Sequence, residues 1–327
     1  MTGTALCVAG VVLSTAGYFA GGKDFTYTSD HMYVSGGNSS SRKNLTVMKK
    51  EQIDDFTKLN VDFDNFDLDI RTSDDDHYYM EYKLEKNGRK NPLTWKDKDG
   101  ELTLEEPAGG SGSYYITYDL GIFSTHADLT EKKDALNTVI LYIPEKAQLS
   151  EAELQLSDGD LAADQLLCKE MTLELLSGDL MLDKGEFEKF DAKLSDGDLN
   201  VKELQCTDNM QLKSGNGDVT IKKAELADGQ IALSDGDIQI DNSSFNGDMK
   251  INSSCGDVSV EMKNGSAEKT NIYLKAADGD VDTEGLSRGK TDNEEDTSVY
   301  ENKAGASAPT LNVECSDGDI TLTESEK

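Results

Sequence analysis

A Gly-Asp pair returns along the second half of this chain at Gly159, Gly178, Gly197, Gly217, Gly236, Gly256, Gly279 and Gly318, at intervals of 19, 19, 20, 19, 20, 23 and 39 residues. Periodicity of this length marks a repeat architecture in which each unit completes the core of its neighbours. Around the pair the strings read LSDGDL, LLSGDL, LSDGDL, SGNGDV, LSDGDI, SSCGDV, AADGDV and CSDGDI, with alternating apolar residues on both sides. Leu173 and Leu175 precede one corner and Leu180 and Leu182 follow it; Ala192, Leu194, Leu199 and Val201 repeat the grammar. Strand side chains alternate faces, so each flank points its apolar residues one way. The pattern predicts an all-β, single-chain β-solenoid (β-helix) of about 20-residue rungs. Two short strands would face each other across a Gly-Asp corner, the repeat leaving two or three strands per turn open, and Leu166, Phe187, Leu204, Leu226, Phe245 and Leu286 would plug the opposite bend. Glycine suits a corner that reverses the chain because it takes positive φ without a Cβ clash.

The first part of the chain is less regular. FDLDI at 66–70, followed by Ser73-Asp74-Asp75-Asp76 and Met80, Tyr82 and Leu84, reads as a rung with a glycine-free corner. Residues 52–147 are expected to be an irregular, strand-rich capping part, and 148–327 the regular repeats. The apolar-poor stretch 285–308 reads as a mobile insertion. Ala5 to Ala20 is an uncharged run, between a signal-peptide core and a full membrane span in length. It predicts a hydrophobic helix over 1–22, retained as a single-pass anchor or cleaved as a signal, with 23–51 as a tether. Either outcome puts the solenoid outside the cytoplasm.

The formal charge of −32, from 64 acidic and 32 basic residues, argues against nucleic acid and anionic headgroups as partners. Any membrane contact is expected through the N-terminal segment alone. The five cysteines (Cys7, Cys168, Cys206, Cys255, Cys315) form no CxxC or Cys/His cluster. Cys168 and Cys206 fall two rungs apart, too far to bridge. The histidines (His31, His77, His126) sit in no catalytic spacing. No catalytic residue is assigned and no cofactor is required; a polysaccharide-active β-helix enzyme is the weaker alternative.

The carboxylates after the corners, Asp160, Asp179, Asp198, Asp218, Asp237, Asp257, Asp280 and Asp319, would stack into a ladder if the rungs are in register. Like charges about 4.8 Å apart repel by about 1 kcal/mol in water, so something must offset them. Either each carboxylate accepts turn amide hydrogens, or the ladder, reinforced by Asp158, Asp196, Asp235, Asp278 and Asp317, takes up calcium through hard oxygen ligands. Trp95 and Tyr78, Tyr79, Tyr82, Tyr114, Tyr115 and Tyr118 gather in the irregular part, as cap packing or as a patch for an unidentified partner.

The N-terminal apolar run, IDDFTKLNVDFDNFDLDIRTSD, the proline-terminated NTVILYIPEKA and the repeated LxLxSxxGDLxL units together resemble the bacterial putative-adhesin β-strand-repeat family of unknown function, over residues 45 to 325. The resemblance implies a membrane-anchored or secreted surface β-solenoid with no established catalytic residues. It points to an adhesin or binding module of the cell envelope, the alternative being a structural or envelope-stress surface component. The uncharged N-terminus and the 285–308 insertion depart from the family pattern.

Overall fold

The computed structural model describes residues 25–27, 32–34, 45–108, 136–283, 286, 289–294 and 297–325. The chain divides into two units, one of residues 1–46, 85–92 and 108–135, the other of 47–84, 93–107 and 136–327. Within the first, Phe25–Tyr27 pairs antiparallel with Met32–Val34. The expected helix over 1–22 lies outside the described residues. Among the described residues no helix is long and apolar enough to cross a membrane. Of the expected tether, residues 47–51 instead run within the strand Leu45–Gln52.

The second unit is an all-β, solenoid-like stack of rungs. Leu161–Ser177, Leu180–Asp196 and Leu199–Asn216 pair parallel, with Leu161, Leu180 and Leu199 in one column and Leu173, Ala192 and Leu212 in another. The number of strands per turn, open between two and three in the sequence, follows from the burial pattern. In Leu161–Ser177 the buried residues are Leu161 and Ala163, then Leu166 and Cys168, then Met171, Leu173 and Leu175. Alternation fails at 164–165 and again at 169–170, where neither residue is buried. Two successive outward residues mark a change of direction in a strand whose side chains otherwise alternate. Each rung therefore has three inward runs and two bends besides the Gly-Asp corner.

The expected plug also resolves into two columns. Leu166, Gly185, Leu204 and Ala224 form one; Cys168, Phe187, Cys206, Leu226 and Phe245 form the other. A Cβ on Gly185 would lie 2.6 Å from the Phe187 ring, so the ring fills the space this glycine leaves. The first 20-residue interval has an equally local cause. Register shifts between Phe187 and Lys189 on one side, and between Cys206 and Asn209 on the other, place one extra residue at the second bend.

Rung order in space departs from rung order in sequence at both ends. Lys58–Phe63 and Asp67–Ser73 form the glycine-free rung. On one side it stacks on Leu149–Asp158 and the start of Leu161–Ser177. On its other side lie Glu101–Glu105 and Thr138–Pro144, although these come later in the chain. At the far end the C-terminal rung, Thr310–Asp317 and Ile320–Glu324, pairs with Met249–Cys255 and Val258–Met262 on one side. On the other it pairs with Asn271–Asp278 and Val281–Asp282. The 23-residue interval follows: the chain at 263–270, with a short 3-10 turn at Ala267–Lys269, must climb two rungs rather than one.

Antiparallel strands close the stack at both ends. Tyr79–Glu85 pairs with Thr138–Pro144, and Thr94–Lys98 with Glu101–Glu105. At the other end Thr297–Asn302 pairs with Asn271–Asp278 and with Lys290–Glu294. The stretch expected as a mobile insertion at 285–308 thus contains a paired hairpin, with Tyr300 buried against the core. Its outer strand, KTDNE, is polar and charged, which guards an edge against further strand addition.

Candidate functional site: the corner ladder

The corner backbone dictates the ladder. Along a strand, successive N–H groups point to opposite sides. Gly178 and Leu180 donate to the carbonyls of Asp196 and Asp198, at 3.1 and 2.9 Å. The Asp179 N–H between them points the other way, toward the preceding corner, where the Gly159 carbonyl oxygen crowds the place a Cβ on Gly178 would take. The side chain of Asp160 supplies the missing acceptor: Asp179 N donates to its Oδ1 at 2.9 Å.

This bond recurs from the glycine-free rung to the Gly279 corner. Asp160 N donates to Asp67 Oδ1, Asp198 N to Asp179, Asp218 N to Asp198, Asp237 N to Asp218 and Asp257 N to Asp237, at 2.8 to 3.0 Å. The spatial order then gives Asp319 N to Asp257 at 2.9 Å and Asp280 N to Asp319 at 2.8 Å. All eight aspartates singled out by the repeat are brought together. Asp67 is a ninth member that sequence reasoning missed, because Phe66 stands where the others have glycine.

The glycines are required for two separable reasons. Gly197 has φ 140°, and a Cβ there would also lie 2.0 Å from the Gly178 carbonyl oxygen. Positive φ recurs at Gly178, Gly217, Gly236, Gly256, Gly279 and Gly318. At Gly159 the close approach alone demands glycine, since a Cβ would lie 2.3 Å from the Phe66 carbonyl oxygen.

The carboxylates expected to reinforce the ladder form a separate column: Asp158, Ser177, Asp196, Asn216, Asp235, Cys255, Asp317 and Asp278. Acids alternate with uncharged residues until Asp317 and Asp278 meet as direct neighbours. Alternation about doubles the distance between like charges, and Asn216 Nδ2 donates to Asp196 Oδ1 at 2.6 Å. Among the described residues no group of three or more His, Cys, Asp or Glu is placed to hold a metal ion.

Cys168 and Cys206 lie two rungs apart on either side of Phe187, both free and buried. Burial pushes the Cys168 thiol up to about 12, and raises Cys206 and Cys315 as well. Cys255 is free and exposed; Cys7 lies outside the described residues. His77, the one histidine among the described residues, donates its amide to Asp75 Oδ1 at 2.9 Å.

The expected aromatic gathering is dispersed. Tyr78 is buried against Phe56, with ring centroids 4.8 Å apart, and Tyr79 donates its hydroxyl to Asp75 at 2.7 Å. Tyr82 packs partly buried on the core and Trp95 is 38% exposed, while Tyr114, Tyr115 and Tyr118 lie outside the described residues. A different cluster forms around Tyr142. Its hydroxyl donates to Glu81 at 2.6 Å, Arg71 binds Asp69 through Nε and Nη2 at 2.9 and 2.6 Å, and Lys50 Nζ lies 3.7 Å over the Tyr142 ring. Burial raises the Tyr142 phenol, helped by Glu81. No repeat or motif signals this cluster, whose members are drawn together from four strands.

Among the described residues, open grooves indent the stack. One of about 430 Å³ is lined by Asn271, Asn302 and Thr310, another of about 390 Å³ by Lys184, Glu203, Lys223 and Lys263. In the second, Lys223 pairs with Glu203 and Lys263 with Glu225, each at 2.6 Å.

The model of the family described as Toastrack DUF4097 matches residues 56–323. No curated protein matches the chain. Among solved structures, a putative adhesin from Parabacteroides merdae is 16% identical, with 86% of this chain and 97% of that one covered and a TM-score of 0.48. A putative lipid binding protein from Parabacteroides distasonis is 13% identical over 88% of this chain and 98% of that one, with a TM-score of 0.46.

Proposed function

We propose that this chain, which belongs to the Toastrack DUF4097 family, is a non-catalytic binding module displayed outside the cytoplasm on a stiff β-solenoid. One observation carries the reading. Leu176 and Met181, 44% and 46% exposed, flank the Gly178 corner on the outer surface. Leu176 neighbours Ser157 and Ser195 across the rungs, and Met181 neighbours Ala162 and Asn200. Two large apolar side chains stand out in columns of small and polar ones, and a contact surface gains most of its affinity from such anchors. The repeated aspartates are engaged as amide acceptors, which gives them a structural role and supports the non-catalytic reading. The apolar run from Ala5 to Ala20 would act as anchor or signal.

Beads coated with the full chain, passed over glycan- and matrix-protein-coated surfaces, test the binding reading. Retention above bare beads is expected, with at least a tenfold loss for the Leu176→Ser/Met181→Asn double variant at an unchanged melting temperature. Equal retention of parent and double variant overturns the assignment to this patch. If the parent is not retained, the second reading stands, a structural envelope component, which the unbroken ladder favours. Proteolysis of intact cells tests location: a solenoid that survives until lysis overturns display outside the cytoplasm.

A further inference from the structure

The C-terminal rung occupies a slot between two rungs that also fit each other. Met249, Leu311 and Ile272 share a column, as do Ile251, Val313 and Leu274, and Ser253, Cys315 and Ala276. The ladder is equally repetitive: Asp319 takes its acceptor from Asp257 and offers its own to Asp280. Asp257 presents to Asp319 the same oxygen that every other corner presents to the next. We propose that the slot closes without its occupant, Asn271–Asp278 seating directly on Met249–Cys255, and that the C-terminal rung is thereby released as a free strand pair.

Three further observations favour this second closure. Seating Asn271–Asp278 on Met249–Cys255 puts Asp278 beside Cys255, which restores the alternation of acid and uncharged residues that the intercalated rung breaks by placing Asp317 against Asp278. The 263–270 segment, which now climbs two rungs, is long enough to climb one. Order of synthesis favours it too, because Asn271–Asp278 leaves the ribosome before Thr310–Asp317 and meets the vacant edge of Met249–Cys255 first. Besides strand pairing and its buried apolar columns, the rung is held by side-chain and end contacts that include Lys250 with Glu314 at 3.7 Å and Ser325 N to the Met262 carbonyl at 2.8 Å. Thr310 N donates to Asp248 Oδ1 at 2.9 Å, Ala267 N to Glu324 Oε1 at 2.7 Å and Asn264 N to Ser325 Oγ at 3.1 Å. The released pair would carry Leu311, Val313, Ile320 and Leu322, all now buried, as an apolar row suited to strand addition elsewhere.

Hydrogen exchange on the full chain discriminates this from ordinary fraying. Fraying proceeds inward from the end of the stack, through the 290–302 hairpin and then 271–278, before it reaches 310–317. Slot closure opens 310–324 while 271–278 stays paired, so amides of 310–317 are expected to exchange at least tenfold faster than those of 271–278. Equal rates or the reverse order overturn the proposal. A second test uses exposed Cys255 and a bifunctional thiol reagent too short to span two rungs, about 9–10 Å. Asp317→Cys is expected to link to Cys255 in the intercalated state, and Asp278→Cys to link to Cys255 only when the slot has closed. Linkage of both, in molecules whose buried Cys168 and Cys206 remain unlabelled, supports the proposal. Linkage of the Asp317 variant alone, or of the Asp278 variant only in molecules labelled at Cys168, overturns it.

Discussion

Asp67 is the ladder's least typical member, and its chemistry shows what the others do. Burial raises its carboxyl above its ordinary value and repulsion from Asp160 adds to this, while the Asp160 amide and the Thr138 hydroxyl pull it down. Since the folded value lies above the unfolded one, the folded state holds this proton more tightly. The site favours folding at low pH, and that contribution is lost as pH rises from the unfolded value through the folded one. Asp67→Asn keeps an oxygen for the Asp160 amide and removes the charge. At pH 7 it is expected to equal or exceed the parent in stability, by up to about 1 kcal/mol, with the difference shrinking toward pH 4. Asp67→Ala leaves the Asp160 amide without its acceptor and is expected to cost about 1–3 kcal/mol. Urea unfolding at both pH values checks this; an asparagine variant less stable than the parent at pH 7 would mean that the charged bond outweighs burial. The eight regular aspartates were legible because glycine announces each corner. Asp67 was not, because a carbonyl oxygen from Phe66 sets the same close approach without a glycine in that rung.

At the scale of the rung, the bends absorb length and the inward runs do not. The extra residue at 207–208 opposes one residue in each neighbouring rung and leaves the columns on both sides intact. Deleting Asp208 is therefore expected to shift the thermal midpoint by only a few degrees. Deleting Gln211, inside an inward run, turns the following residues to the wrong face up to the next corner and is expected to abolish the cooperative transition. Circular dichroism melts of the two deletions check the contrast, and comparable losses in both would place the bend under the same constraint as the runs. The intervals of 19 and 20 stood in the sequence, but their cause did not. A bulge at a bend and a longer corner leave identical spacings. Three inward runs were equally hidden, because the pairs at 164–165 and 169–170 look like ordinary polar positions until burial separates them. Rung order was the least legible feature. Columns that repeat the same residue types let any rung stack on any other, so only the connections decide, and those at 263–270 and 303–309 carry little pattern of their own.

Across the whole chain, 64 acidic residues against 32 basic ones oppose compaction. Some of that charge is met by pairs bridging adjacent rungs, such as Lys189 with Glu170 at 2.9 Å and Lys193 with Glu174 at 2.6 Å. These pairs are about half exposed, so each contributes at most about 1 kcal/mol and is itself weakened by salt. The corner face has no such cations among its columns, and its acids face one another. Net repulsion should therefore outweigh the pairs. Raising NaCl from about 0.02 to about 0.5 M, which shortens the screening length from about 20 to about 4 Å, is expected to raise the melting midpoint by several degrees. A fall would show that the rung-to-rung pairs dominate. Millimolar calcium against chelator at matched ionic strength then separates screening from coordination. A rise beyond that given by NaCl would place an ion among the corner carboxylates, where Asp317 and Asp278 stand side by side. No additional rise assigns the ladder aspartates to their amides alone, because an oxygen already accepting an N–H at 2.8 to 3.0 Å gains little from a cation that must first shed its water.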